Sequence, residues 1–255
     1  MSSCFRDDLF HGKKILITGC TSGIGKHVAI QLSKLGCSLL LVGRNSIKLD
    51  QLVHNLSFSN RHSKLVADLS LSDALFDLKS DIIKFGPLDG VFHSAGIGLI
   101  KPTKLLKSDD INHVFAPSVY AALDISRMAC SSKVISPNSS IVFMSSVSSI
   151  LGTSCMSLYS ASKGAIDSLS RSLAVELAPR KIRVNSIVSG AVQTPMHENL
   201  SSSLTAEMLE DYRQRHPLGF GTSESISNAV IFLLSESSCW ITGTQLIIDG
   251  GYSAQ

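Results

Sequence analysis

Tyr159 and Lys163 stand four residues apart, and Ser146 lies thirteen residues before Tyr159. On a helix, positions i and i+4 share a face, so the phenol and the ammonium can enter one site. A free phenol ionises at about pH 10. A neighbouring cation favours the phenolate, which makes tyrosine usable as an acid and base near neutrality. Ser146 can then hold a substrate oxygen beside it. Taken alone, the same pair is equally what an ordinary surface turn displays, so the surrounding elements must decide. Ser145 competes with Ser146 for the role. Alternation along a strand sends the two to opposite faces, and the spacing favours Ser146.

Seven short apolar runs read as strands: 14–18, 38–42, 64–67, 90–93, 140–144, 182–186 and 245–249. Near-continuous apolar runs suit strands covered on both faces. Amphipathic stretches at 26–35, 111–132, 160–177 and 224–234 read as helices. This alternation predicts an α/β fold, a single Rossmann-like, doubly wound domain over residues 1–255 with a seven-stranded parallel sheet and helices on both faces. Residues 194–220 carry no strand and read as a substrate lid, with a structural insertion as the alternative.

At 255 residues, 44% of them hydrophobic, the chain can bury a large core. Its net charge of +3 comes from scattered basic and acidic residues, which argues against a nucleic-acid or membrane-surface partner. Nowhere does the apolar character reach the roughly 18 residues a membrane span needs, and Met1 to Lys14 lacks the apolar core of a signal peptide. The six cysteines, Cys4, Cys20, Cys37, Cys130, Cys155 and Cys239, stand singly, and the eight histidines are dispersed. No metal site is expected from that spacing, and free thiols fit a cytoplasmic protein.

Directly after the first strand comes Thr18-Gly19-Cys20-Thr21-Ser22-Gly23-Ile24-Gly25, followed by a helical pattern. Glycines there let the backbone turn tightly and approach a pyrophosphate, while the helix offers unpaired N–H groups. The second strand ends Val42-Gly43-Arg44-Asn45, without the acidic residue that would bond the ribose 2′-OH of NAD. Arg44 suits a 2′-phosphate, so NADP(H) is expected ahead of NAD(H), unless Arg44 is merely a solvated loop residue. Asp68, followed by Leu69, can accept from an adenine amino group. The small residues Ser94, Ala95 and Gly96 let the chain pass close to the cofactor.

Together these residues resemble the classical short-chain dehydrogenase/reductase family over essentially the whole chain. The match includes Thr18 to Gly25, Asp68, Ser146, Tyr159-Ser-Ala-Ser-Lys163, Arg183-Val-Asn185, Ser189-Gly190 with Thr194-Pro195, and Asp249-Gly250-Gly251. His93-Ser94 stands where the family has two asparagines, and Ser118 where it places the asparagine of a proton relay. The resemblance implies that Tyr159 exchanges a proton with the substrate oxygen, Ser146 hydrogen-bonds that oxygen, and Lys163 contacts the nicotinamide ribose. Ser118 is then a candidate in the proton path. Ile24 would lie at the phosphate turn, Gly190, Val192 and Thr194 around the nicotinamide, and Asn185 in support of the sheet. The substrate would be a small carbonyl compound or alcohol, an uncharged or weakly polar ketone, with 3-oxoacyl-acyl-carrier-protein reductases among the similar enzymes. A cofactor-binding regulatory or scaffold protein with little turnover is the alternative. A homotetramer is also implied, burying an apolar outer stripe of Ala165, Leu169, Leu173 and Leu177, unless those residues face the sheet.

Overall fold

The computed structural model describes residues 5–202 and 205–255, so Cys4 and Ser203 lie outside the described residues. The apolar runs form β1 (Lys14–Thr18), β2 (Ser38–Gly43), β3 (Ser63–Val66), β4 (Leu88–His93), β5 (Ile135–Ser146), β6 (Arg183–Ser189) and β7 (Gln245–Ile248). They make one seven-stranded sheet in the order β3-β2-β1-β4-β5-β6-β7, with every pairing parallel. The order reverses between β1 and β4. At such a point the connections leave in opposite directions, opening a crevice at the carboxyl ends of the strands.

Helices cover both faces of this sheet. They are α1 (Gly23–Lys34), α2 (Ser46–His54), α3 (Ser72–Phe85), α4 (Ser108–Phe115), α5 (Ala121–Ala129), α6 (Ser157–Leu177), α7 (Pro195–Ser201), α8 (Ala206–Gln214) and α9 (Ser223–Leu234). On one face Ile15, Ile17, Leu39 and Leu41 pack with Val28 and Leu32 of α1 and Val230 and Ile231 of α9. On the other, Leu16, Leu40 and Phe143 meet Ile125 of α5 and Ile166, Leu173 and Leu177 of α6. Strand alternation divides the consecutive residues Ile15, Leu16 and Ile17 between the two layers, and each such side chain contributes about 1.5–3 kcal/mol by leaving water. Asn185 ties β6 to the approach of β7. Its side chain donates to the Ile241 carbonyl at 3.0 Å and accepts from the Thr244 N–H at 3.1 Å.

Three expectations need correction. β3 and β7 are not covered on both faces: they are the two sheet edges, where Val66 is 49% and Ile247 47% exposed. Leu173 and Leu177 do not form an outer stripe, because both are buried against the sheet, and Leu169 packs on the same layer. Residues 111–132 are not one helix, since a π turn over Ala116–Tyr120 separates α4 from α5. Pro117 explains that break: it offers no N–H to the preceding turn, and its ring crowds that turn, so the backbone widens there. No helix among the described residues is long and apolar enough to cross a membrane.

Candidate active site

β5 runs on to Ser146 at the carboxyl edge of the sheet, and α6 begins at Ser157, so Tyr159 occupies the first turn of α6. The Ser146 hydroxyl accepts from the Ser148 N–H at 3.2 Å and donates to the Ser148 hydroxyl at 3.4 Å. It also meets the Tyr159 phenol. Burial pushes the Tyr159 phenol up, and the hydrogen bond with Ser146 pulls it back toward ionisation. One turn along, Lys163 donates to the Met144 carbonyl at 2.9 Å, and its nitrogen lies 5.6 Å from the centre of the Tyr159 ring. Burial brings the Lys163 ammonium down to about 8, opposed by the field of Asp167. Ser145 takes no part in this constellation through its hydroxyl, which donates to the Lys163 carbonyl at 3.4 Å. Ser146, Tyr159 and Lys163 therefore converge, as the spacing predicts.

Beside them lies a cavity of about 210 Å³ built on the glycine turn. Of the residues expected around a cofactor, Gly19, Thr21, Ser22, Gly23, Ile24, Arg44, Asp68, Leu69, Ser94, Ala95, Gly96 and Thr194 line it. A second cavity, of about 480 Å³, takes in Ser146, Tyr159, Lys163, Gly190 and Val192. The two cavities share Ile24, Ser94, Gly96, Thr194 and Met196 and so adjoin one another, with Ser146, Tyr159 and Lys163 in the wall of the second.

Two expected residues do not face the space. Gly25 packs on Gly19, whose carbonyl oxygen would collide with any side chain there. Asn45 caps α2 instead, its side-chain oxygen accepting from the Lys48 N–H at 2.9 Å.

The glycine turn leaves the backbone open on the side of the first cavity. Gly19 has φ +66°, and a Cβ on it would stand 2.7 Å from the Ala95 nitrogen, so only glycine keeps the turn open beside β4. Among the described residues, the exposed Arg44 guanidinium makes no hydrogen bond or ion pair, and its charge acts on Asp68. Burial raises the Asp68 carboxyl, but two hydrogen bonds from Ser70, with the charges of Arg44 and His113, leave it below its ordinary range. Both Ser70 bonds go to one oxygen, Oδ1. Thr194 closes the far side: its methyl carbon would lie 3.3 Å from a Cβ on Gly23, and its hydroxyl caps α7 by accepting from the His197 N–H.

Two groups escaped the sequence reading. His93, fully enclosed at the end of β4, bridges the Thr18 hydroxyl at 2.8 Å and the Ser118 carbonyl at 3.0 Å. A carbonyl only accepts, so Nε2 carries the proton and Nδ1 accepts from Thr18. Burial pushes this imidazole down to about 4, with Lys163 adding to the effect, so the ring is neutral. It fastens the π turn to the sheet. The Ser118 hydroxyl is itself buried without a partner, and a Cβ on Gly96 would lie 3.4 Å from the Lys163 nitrogen and 3.9 Å from that hydroxyl. The replacement of asparagine by His93 was visible in the sequence; its reach across to Ser118 was not.

The second group is an aromatic cluster. His216 stacks on Tyr252 at 4.5 Å, with Tyr212 at 5.1 Å and Phe220 at 5.2 Å. His216 also accepts from the Ala191 N–H at 3.2 Å and donates to the Tyr212 carbonyl at 2.9 Å, which pins the end of α8 to the end of β6. Tyr212, His216 and Phe220 recur every four residues, a helical spacing visible in the sequence, whereas nothing local tells that Tyr252 joins them.

A family profile described as enoyl-(acyl carrier protein) reductase matches residues 19–253. Glucose 1-dehydrogenase of Gluconobacter oxydans is 33% identical over 252 residues, covering 96% of this chain and 93% of the relative. A 3-oxoacyl-acyl-carrier-protein reductase of Thermotoga maritima is 30% identical over 243 residues, covering 94% and 97%. Among solved structures, a short-chain glucose/ribitol dehydrogenase from Brucella melitensis superposes with a TM-score of 0.89 at 27% identity, covering 97% of this chain and 99% of that one.

Proposed function

Because the chain belongs to the short-chain dehydrogenase/reductase family, it is an oxidoreductase of carbonyl and alcohol substrates, and we propose that it exchanges hydride between NADP(H) and a ketone or the matching secondary alcohol. One observation carries this reading: the cavity over the glycine turn adjoins the cavity that holds Ser146, Tyr159 and Lys163, with Ile24, Ser94, Gly96, Thr194 and Met196 lining both. A dinucleotide laid along the first would bring its reactive end beside the phenol.

When bound, the nicotinamide cofactor supplies or accepts the hydride. Arg44, exposed and unpartnered, is the group suited to a 2′-phosphate. Thr21, Ser22 and Gly23 at the start of α1 would hold the pyrophosphate, Asp68 the adenine amino group, and Val192 and Thr194 the carboxamide. In reduction, Tyr159 gives its proton to the carbonyl oxygen. Ser146 donates a hydrogen bond to the same oxygen, where negative charge develops. Lys163 holds the ribose hydroxyls and favours the phenolate left behind. The unpartnered Ser118 hydroxyl, beside Lys163 across Gly96, is placed to return the proton through a bridging water.

Residues 194–220 act as the substrate lid, with α7 and α8 over the cavity. The likeness to a 3-oxoacyl-acyl-carrier-protein reductase supports a 3-oxoacyl thioester as one candidate substrate. Self-association into a homotetramer would use the outer faces of α5 and α6, where Leu123 is 48% and Val175 78% exposed. A reducing cytoplasm is the proposed setting, consistent with free thiols at Cys20, Cys37, Cys130, Cys155 and Cys239.

The test is a fluorescence titration with NADPH and NADH, followed by a panel of ketones. NADPH bound more tightly than NADH and oxidised by a ketone is the expected result. Binding of NADPH without oxidation by any ketone returns the regulatory or scaffold reading, and no binding of either nucleotide overturns the proposal.

A further inference from the structure

Neither α7 nor α8 buries a residue fully against the rest of the protein, yet each turns one face to the larger cavity. From α8 that face is Met208, Asp211, Tyr212 and Arg215, the i, i+3, i+4, i+7 spacing of a single stripe. Four of the six methionines in the chain, Met144, Met156, Met196 and Met208, line this one cavity. Methionine is flexible and polarisable, and makes an apolar wall that adapts to its ligand. Met196 is 39% and Met208 52% exposed, apolar surface that lines the cavity and that an apolar ligand there would cover. The two charges of the stripe, Asp211 and Arg215, are both exposed, whereas Ser146 and Met144 are buried at the opposite end.

We propose that the substrate is a ketone on a long or bulky apolar body, its carbonyl at Ser146 and Tyr159 and its body along the methionine wall. This rests on the carbonyl-reductase reading above. Calorimetry with 2-butanone, 2-hexanone, 2-decanone and a pentulose, each with and without NADP⁺, tests it alongside the rates of NADPH oxidation. Affinity is expected to rise about two- to fourfold per added methylene, and the pentulose to bind weakly. Met208→Ser should flatten the dependence on chain length. Equal affinity for butanone and decanone, or tightest binding of the pentulose, overturns the proposal. Chain-length-dependent binding without turnover would instead sink the reductase reading, leaving the methionine wall only as a surface that binds apolar chains.

A separate observation concerns the helix that carries Lys163. Asp167 is 2% exposed, and neither of its carboxylate oxygens has a hydrogen-bond partner. Ser170 on the same helix, Ser186 on β6 and Ser118 on the π turn also have buried hydroxyls without partners. These are all such side-chain atoms among the described residues, and they fall on α6 or on elements packed against it. Asp167 follows Lys163 by four residues, so the two share a helix face.

We infer that Asp167 is a positioning residue that keeps Lys163 charged, with water joining it to the orphaned hydroxyls. Among the described residues, the Lys163 ammonium otherwise has one hydrogen-bond partner, the Met144 carbonyl, and lies near the Tyr159 ring. The other ionisable groups on elements packed against α6 are engaged or exposed: Asp110 of α4 pairs with Lys101, Arg180 bonds the Ala129, Cys130 and Ile135 carbonyls, and Asp109, His113 and Tyr120 are exposed. His93 from β4 is neutral, and β5 carries none. The single one on β6, Arg183, bonds the Ser235 and Ile241 carbonyls, while Asp124 and Arg127 of α5 pair with each other.

Spectroscopic titration of the Tyr159 phenol, taken as the difference from Tyr159→Phe, tests this without a substrate. In Asp167→Asn the phenol should ionise about half a pH unit or more higher, with Asp167→Glu restoring it in part. A phenol titration unchanged in a folded Asp167→Asn protein overturns the inference. If that variant does not fold, an unshifted titration in a folded Asp167→Ser protein does the same.

Discussion

The nucleotide half of the site and the substrate half are built by different means. Around the glycine turn, function sits in the backbone: Gly19 lies against Ala95, Gly25 against Gly19, and the exposed Arg44 stands at the end of β2. Around the substrate cavity it sits in long side chains from α7, α8 and the aromatic cluster, none fixed by a short motif. A region whose shape is set by where a Cβ cannot go admits few residue types. A wall of methionine and tyrosine can be made from many sequences. The first half is accordingly constrained in what it binds, while the second is free to diverge.

That contrast can be broken at several points. The largest effect should come where the halves meet. Tyr159→Phe is expected to lower turnover by about 10²–10⁴-fold while leaving NADPH affinity nearly unchanged, as steady-state rates and a binding titration would show. On the nucleotide side, Arg44→Asp should shift the NADPH-to-NADH preference by about 10- to 100-fold, the worth of a hydrogen bond to a charged group. An unchanged ratio of the two dissociation constants would remove Arg44 from recognition.

The pH dependence follows from Lys163. Its ammonium is brought down to about 8 by burial, so it is cationic below that pH and loses its proton above it. Tyr159, raised by burial, keeps its proton through the same range. Reduction needs Lys163 charged and Tyr159 protonated, so kcat/KM should hold on the acid side and fall as pH passes about 8. That alkaline limb should vanish in Lys163→Ala along with most of the activity. The smallest change is Ser118→Ala, expected to cost about 2- to 10-fold in turnover, the scale of one hydrogen bond. A rate equal to the parent enzyme would show that water reaches Lys163 without that hydroxyl.

Sequence alone made much of this visible, for physical reasons that differ by region. The strands were legible because buried parallel strands must be apolar along their length, and the two edge strands, β3 and β7, are where burial departed from that pattern. Ser146, Tyr159 and Lys163 were legible because helical spacing fixes which residues can meet. Asn45 was misplaced because a capping asparagine and a ligand-facing one occupy the same turn, and only the bond to the Lys48 N–H separates them. The proposed outer stripe failed because periodicity gives a face without saying what it faces, and Leu173 and Leu177 face the sheet. The His93 bridge depended on a contact across 25 residues, which no local pattern encodes.

The central claim is that Tyr159 delivers the proton while NADPH delivers the hydride, and a single-turnover experiment tests it most directly. Enzyme loaded with NADPH or NADH is mixed with an apolar ketone, and cofactor oxidation is followed in the parent protein and in Tyr159→Phe. The account predicts rapid oxidation of bound NADPH, slower oxidation with NADH, and little in the variant despite intact nucleotide binding. Oxidation at the parent rate in Tyr159→Phe would contradict it.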